Sequence, residues 1–271
     1  MRGALAGLLL LWSTVVWSTV AWADQSVRDL SRALQLPQMA RVLQRTGLEF
    51  GLGFDEGWLD GQGGALWQDR VGSIYAPGRY LEGFEQALDR HLSPEQRHAL
   101  LSYYVTPRGQ QAVALERAAF AAYQDPDVSD AAQMMAAGID SSDPLVQAAG
   151  RLIAALDLVE RNTAASINSQ LALLRGLDQA GASGFGSAAQ AQVWAQEPEI
   201  RADAAEWLAG FYVLSLQPLS AEARDAYVHI SESPAGLALN AALFEGYVAV
   251  NRQMSRELGA ALAAALTASS L

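Results

Sequence analysis

Three histidines are the chain's whole supply of imidazole, and two of them, His91 and His98, lie close to Glu95. On one continuous helix this trio would form a ligand set. Ser93-Pro94 breaks the helix between them, however, and a metal site needs at least three convergent ligands. His229 reads as an exposed helical residue. Asp55, Glu56 and Asp60, inside the glycine-rich run Gly51–Gly64, are oxygen ligands that a calcium ion would accept, but their spacing misses the alternating pattern and closing Glu of an EF-hand. That run reads as a helix-to-helix loop whose Phe54, Trp58 and Trp67 pack on the body. Its glycines follow no predicted strand, so it is not a dinucleotide loop. Gly181–Ser187 is also glycine-rich but holds no G-x-S-x-G nucleophile elbow.

The pairs Glu82/Glu85 and Asp203/Glu206 each place two carboxylates on one helical face. Such pairs do acid–base work only in a cleft that separates their pKa values. There is no cysteine, which removes thiol nucleophiles, disulfides and thiolate zinc sites. All 18 basic residues are arginine, which removes Schiff-base chemistry and a Walker-type phosphate loop. No catalytic residue, metal or cofactor is assigned, and the expected protein is not an enzyme. One aromatic group invites binding rather than catalysis. Trp194 and Trp207 flank Glu197-Pro198-Glu199, with Phe211 and Tyr212 a turn further on. Aromatics at helical spacing usually build core; the alternative is an apolar groove for a lipid tail or a partner helix.

The elements that must position these residues are helical. Ala, Leu, Gln, Glu and Arg dominate, and no run of alternating β-branched residues argues for a strand. Ser93-Pro94-Glu95-Gln96 combines an N-cap, a proline at the first helical position and Gln at the capping-box position. A block of unlike residues then recurs. Leu92-Ser93-x-Glu95-x-Arg97-x-Ala99 with Thr106-Pro107-x-Gly109 returns as Leu219-Ser220-x-Glu222-x-Arg224-x-Ala226 with Ser233-Pro234-x-Gly236, at one offset (219 − 92 = 236 − 109 = 127). A fixed spacing that recurs points to a duplicated unit. Each copy reads as a helix–turn–helix corner in which Thr106 or Ser233 caps the second helix, and Gly109 or Gly236 keeps side chains out of the crossing. Leu92, Ala99, Leu100 and Tyr103 are expected on the inner face of the first copy. A weaker echo, Leu30-x3-Leu34-x-Leu36 and Leu152-x3-Leu156-x-Leu158, lies upstream.

The expectation is an all-α fold of nine to eleven helices, as two tandem related helical-bundle units forming one elongated body. Unit 1 covers 24–125 and unit 2 covers 147–271, with a C-terminal helix extension. A connector at 126–146 holds a short apolar helix near Ala131–Gly138.

Residues 1–23 read as a cleaved secretory signal: Arg2, an apolar stretch from Ala4 to Trp17, and Ala21-Trp22-Ala23. Removing them leaves a net charge of 17 − 29 = −12. So acidic a chain repels phosphate backbones and anionic headgroups. Nucleic acid is therefore not an expected partner, and no stable membrane span is expected after cleavage.

Tyr103-Tyr104-Val105-Thr106-Pro107-Arg108-Gly109, after Leu92-Ser93-x-Glu95, resembles the aromatic–aromatic–x–Ser/Thr–Pro–x–Gly corner of the exported bacterial domain of unknown function 2059 family. The resemblance covers the first unit well. It covers the second less well, where Ile230-Ser231-Glu232 replaces the aromatic pair. It implies a small secreted helical domain and brings no catalytic residues. The resulting expectation is a protein of the periplasm of a Gram-negative-type bacterium, acting through contact with another envelope protein. The alternative is a carrier that holds an apolar, lipid-like ligand between its helices.

Overall fold

Prolines open most of the helices. Pro77, Pro94, Pro107, Pro126, Pro144 and Pro234 each stand first in a helix, where a missing amide hydrogen goes unneeded. The computed structural model describes residues 25–182 and 184–269, so the expected signal at 1–23 lies outside the described residues. A first helical segment, α1, covers 25–33. It is followed by α2 (Leu36–Trp58), α3 (Gly64–Ile74), α4 (Pro77–His91), α5 (Pro94–Tyr104), α6 (Pro107–Ala122), α7 (Pro126–Gly138), α8 (Pro144–Ala155), α9 (Leu158–Gln179), α10 (Ser187–Ala195), α11 (Glu197–Leu216), α12 (Ala221–Glu232) and α13 (Pro234–Ser269). Among the described residues every regular element is a helix, and the fold is all-α. The described residues thus hold more helices than the expected nine to eleven.

The two corners share their local chemistry. Thr106 Oγ1 donates to the Tyr103 carbonyl at 2.7 Å and accepts from the Gly109 amide at 3.2 Å. Ser233 Oγ donates to the Ile230 carbonyl at 2.6 Å and accepts from the Gly236 amide at 3.1 Å. A Cβ on Gly109 would fall 2.4 Å from the Tyr103 oxygen, and one on Gly236 would fall 2.1 Å from the Ile230 oxygen, so only glycine fits either crossing. Ser93 forms the full capping box with Gln96, and Ser220 accepts from the Ala223 amide. The inner face of α5 differs from expectation. Arg97, Leu100 and Tyr104 are buried, Tyr103 is half-buried and Ala99 is exposed, because the helix starts at Pro94 and its inward stripe runs 97, 100, 104.

The glycine-rich run is not a loop. α2 continues through Gly51, Gly53 and Gly57 to Trp58, and only 59–63 turns. Gly51 brings two helices together: a Cβ there would lie 2.3 Å from Val71 Cγ1 of α3, whereas Gly53 and Gly57 have open space beside them. Trp67 is buried and donates its indole N–H to the Gly51 carbonyl at 3.0 Å. Phe54 is half-buried, whereas Trp58 is exposed. Asp55 Oδ1 accepts from the Gly63 amide at 2.8 Å and so closes the turn.

Further pairs repeat at the same spacing as the corners. Tyr80 of α4 stacks on Tyr247 of α13 with ring centres 6.2 Å apart, and Trp207 of α11 meets Phe120 of α6 at 6.3 Å. Both partners are displaced together (207 − 80 = 247 − 120 = 127). A Cβ on Gly83 would lie 2.3 Å from Val250, and one on Gly210 would lie 2.1 Å from the Tyr123 hydroxyl, again 127 positions apart on both sides. The upstream echo also repeats in geometry: Gln35 and Asp157 both take left-handed backbone (φ 53° and 54°) between flanking buried leucines. α4 thus packs on α13 and α11 packs on α6, and one large apolar core draws residues from every described helix but α10, whose Val193 joins Ile167 and Leu171 in a smaller cluster. α13, 36 residues long, runs along both α4 and α9. No helix among the described residues is long and apolar enough to cross a membrane.

Candidate functional site

On α6 the inward stripe reads Ala112, Val113, Glu116, Ala119 and Phe120, which places a carboxylate where helical period demands an apolar residue. Thr106 caps this helix and Gly109 lets it sit tightly against the end of α5, so Glu116 is carried to the meeting point of α5, α11 and α12. There a cavity of about 350 Å³ opens. Leu34, Leu36, Leu43 and Leu239 supply its aliphatic wall. Phe84, Phe120, Phe244 and Tyr247 supply ring faces, and Tyr104, Tyr212 and Tyr227 complete the wall around the carboxyl. Phe120 and Asn162 also line a surface depression that contains Trp207, Ile200 and Asp203, so these two residues stand between the cavity and the outer surface.

Glu116 is half-buried and lines the cavity. Tyr227 donates to Glu116 Oε1 at 2.6 Å. Burial, which strips water from the carboxylate, pushes the Glu116 pKa up to about 7; the Tyr227 hydrogen bond pulls the other way and is outweighed. Burial likewise raises the phenols of Tyr104, Tyr212 and Tyr227, which stay protonated around neutral pH. Arg117 also lines the cavity, but consecutive helical residues do not face each other, and its guanidinium donates to Gln35 Oε1 at 3.0 Å. Such a site can solvate and orient a small ligand. It presents no nucleophile beside a base.

The aromatic group Trp194, Trp207, Phe211 and Tyr212 does not line one groove. Trp194 is 58 % exposed beside Glu160 and Arg201. Trp207 stacks on Phe211 at 5.1 Å and meets Tyr123 at 5.0 Å, in the outer depression. Phe211 is core, and Tyr212 alone of the four reaches the cavity. His91 pairs with Glu245 at 2.7 Å, Glu95 accepts from Ser93 Oγ at 2.7 Å, and His98 and His229 are exposed. Among the described residues no three of His, Asp or Glu gather as metal ligands. Of the duplicated motif, Leu92 and Leu219 are buried, Glu95 and Glu222 are exposed at helix starts, and Pro107 and Pro234 begin α6 and α13.

No protein-family model, curated protein or solved structure matches the chain. Function is therefore argued from the cavity.

Sequence reasoning missed Glu116 and Tyr227. The signal was present: Glu116 falls at i+3 and i+4 from Val113 and Ala112.

Proposed function

We propose that this is an exported, non-catalytic binding protein, built from two tandem copies of a helical unit, that encloses a small and largely apolar molecule between the copies. The observation that carries the reading is the 350 Å³ cavity at the centre of the core, walled by leucine and aromatic side chains around one carboxyl. Ligand sites have this character: mostly apolar walls and a few placed polar groups. The tandem origin is supported by the matching corners at Pro107 and Pro234, the left-handed residues Gln35 and Asp157, and the displaced pairs Tyr80–Tyr247 and Trp207–Phe120. The corner around Tyr103–Gly109 supports kinship with the exported family of unknown function 2059, and the apolar start followed by Ala21-Trp22-Ala23 supports delivery to the periplasm.

Fluorescence of the neutral dye N-phenyl-1-naphthylamine tests the cavity. Wild-type protein should enhance it with saturation, and Val113→Phe, which pushes a ring into the space, should abolish the enhancement while the helical circular dichroism stays unchanged. Equal enhancement by the two proteins would overturn the reading.

A second reading, contact with another envelope protein, is favoured by one specific patch. Phe50, Phe54, Trp58 and Phe185 form a chain of ring contacts, with Phe50 53 % and Trp58 43 % exposed. Mutating Phe50 and Trp58 to Ser should then reduce crosslinking to envelope proteins in cells and leave dye binding intact.

A further inference from the structure

We infer that the molecule held in the cavity is a small organic cation: a monoamine carrying an aromatic ring or a short branched chain. This rests on the reading of the cavity as a ligand site and adds the chemistry of its occupant.

Glu116 is the one acidic residue lining the cavity. Its single protein hydrogen bond comes from Tyr227, which leaves Oε2 without a partner. No ion pair among the described residues joins it to a base, and Arg117 is engaged with Gln35. Burying a carboxyl without a counter-charge is expensive, and a cationic ligand would supply that charge. Two further donors or acceptors wait beside it. Tyr104 and Tyr212 are more than nine-tenths buried, line the cavity, and make no hydrogen bond to protein through their hydroxyls. Ring faces of Phe84, Phe120, Phe244 and Tyr247 complete the surround, and ammonium groups are attracted to such faces, most strongly when desolvated. Asn162 and Asn240 each donate to a leucine carbonyl, at 2.8 and 3.0 Å, so their side-chain oxygens remain as acceptors for N–H groups.

Access favours the same charge. The outer depression shared through Phe120 and Asn162 carries Asp203 and Trp207, and the chain as a whole is strongly acidic. The volume lies at the small end for ligand sites, about 300–1,000 Å³, which suits a single ring with a short arm. An anion would face Glu116 and gain only Arg117. A neutral alcohol would satisfy the phenols but leave the carboxyl uncompensated.

Proton linkage follows. The titratable groups around Glu116 are the phenols of Tyr103 and Tyr104 from α5, Tyr212 from α11 and Tyr227 from α12, all neutral near pH 7, with Arg117 of α6 permanently charged. The face of α13 contributes Leu239, Asn240, Leu243 and Phe244, none of which titrates, and Tyr247, whose phenol burial also raises and keeps neutral. An aliphatic ammonium keeps its proton across this range, so a bound amine draws the proton off Glu116. With the Glu116 carboxyl titrating at about 7, ionisation rises about tenfold between pH 6 and pH 8, and amine affinity should rise with it.

Isothermal calorimetry on the full chain with 2-phenylethylamine, 2-phenylethanol and phenylacetate tests this. At pH 8 the amine should bind at least about tenfold more tightly than the alcohol, and phenylacetate most weakly. The advantage should shrink by up to tenfold at pH 6, with proton release seen as a dependence on buffer ionisation heat. In Glu116→Gln the advantage of the amine over the alcohol should disappear. Amine and alcohol binding equally to wild type would overturn the cation assignment while leaving the cavity reading standing. Failure of all three probes, together with failure of the dye, would overturn both. The pH series on wild type keeps the test valid even if the variant folds poorly.

Discussion

Tyr227 of α12 holds Glu116 of α6 across 2.6 Å, joining two residues 111 positions apart. Displaced by the 127 positions that relate the two corners, the same pair of places holds Leu100 and Leu243. Leu100 is fully buried, and Leu243 packs against the same core. One side of the repeated pattern is therefore apolar at both places, while the other carries a hydrogen-bonded acid and phenol. The hydrogen-bonded acid and phenol thus have no polar counterpart at the displaced positions.

Glu116→Gln should change how stability depends on pH. The folded pKa lies above the ordinary value of 4.5, so the folded state holds a proton that the unfolded chain releases first. Wild-type stability should then decline as pH rises from about 4.5 through 7, by roughly 3 kcal/mol in all. The neutral amide removes this slope. Urea denaturation at pH 5 and pH 8 checks it; parallel slopes for the two proteins would contradict the burial of this acid.

Tyr227→Phe removes the hydrogen bond and leaves a buried carboxyl unpartnered, at an expected loss of ~1–3 kcal/mol. Because that bond favours the ionised form, its loss should push the Glu116 titration still higher. A carbon-13 NMR titration of the glutamate carboxyl in wild type and variant would read the direction.

Gly109→Leu and Gly236→Leu should each destabilise by ~1–3 kcal/mol, since the added side chain meets backbone oxygens at the corner instead of movable groups. Thermal melting followed by circular dichroism checks this. A melting temperature unchanged in either variant would mean that the crossing is looser than its geometry.

Arg79 grips Glu257 with two hydrogen bonds, at 2.7 and 2.8 Å, and ties the start of α4 to α13. Both groups are partly exposed, so solvent screens the pair, and Arg79→Met should cost only about 1 kcal/mol. The loss should shrink in 1 M salt if the effect is electrostatic.

Much of the architecture was legible. Cap-then-proline signals placed the starts of α5, α6, α8 and α13, because a side-chain acceptor followed by a residue without an amide hydrogen has few other places to sit. The glycine-rich run misled, since glycine signals either freedom or close approach; with Val71 and Tyr75 against α2, approach won. Arg97, a member of the recurring block to which the sequence assigned no position, turns inward: it is 4 % exposed and reaches Asp89 at 2.9 Å. The cavity was invisible for a more basic reason. Its walls come from α2, α4, α5, α6, α9, α11, α12 and α13 and from Leu34 and Leu156 between helices, and periodicity within one helix says nothing about which faces of the others meet it.

α13 has a further consequence for how the molecule comes into being. The buried face of α4, with Tyr80, Phe84 and Leu88, is covered by a helix that begins only at Pro234, far along the chain from His91 where α4 ends. That helix supplies the Tyr247 ring and the close fit of Gly246 on Gly83. Until α13 has been made and has docked, these side chains of α4 stay open to solvent or to a chaperone.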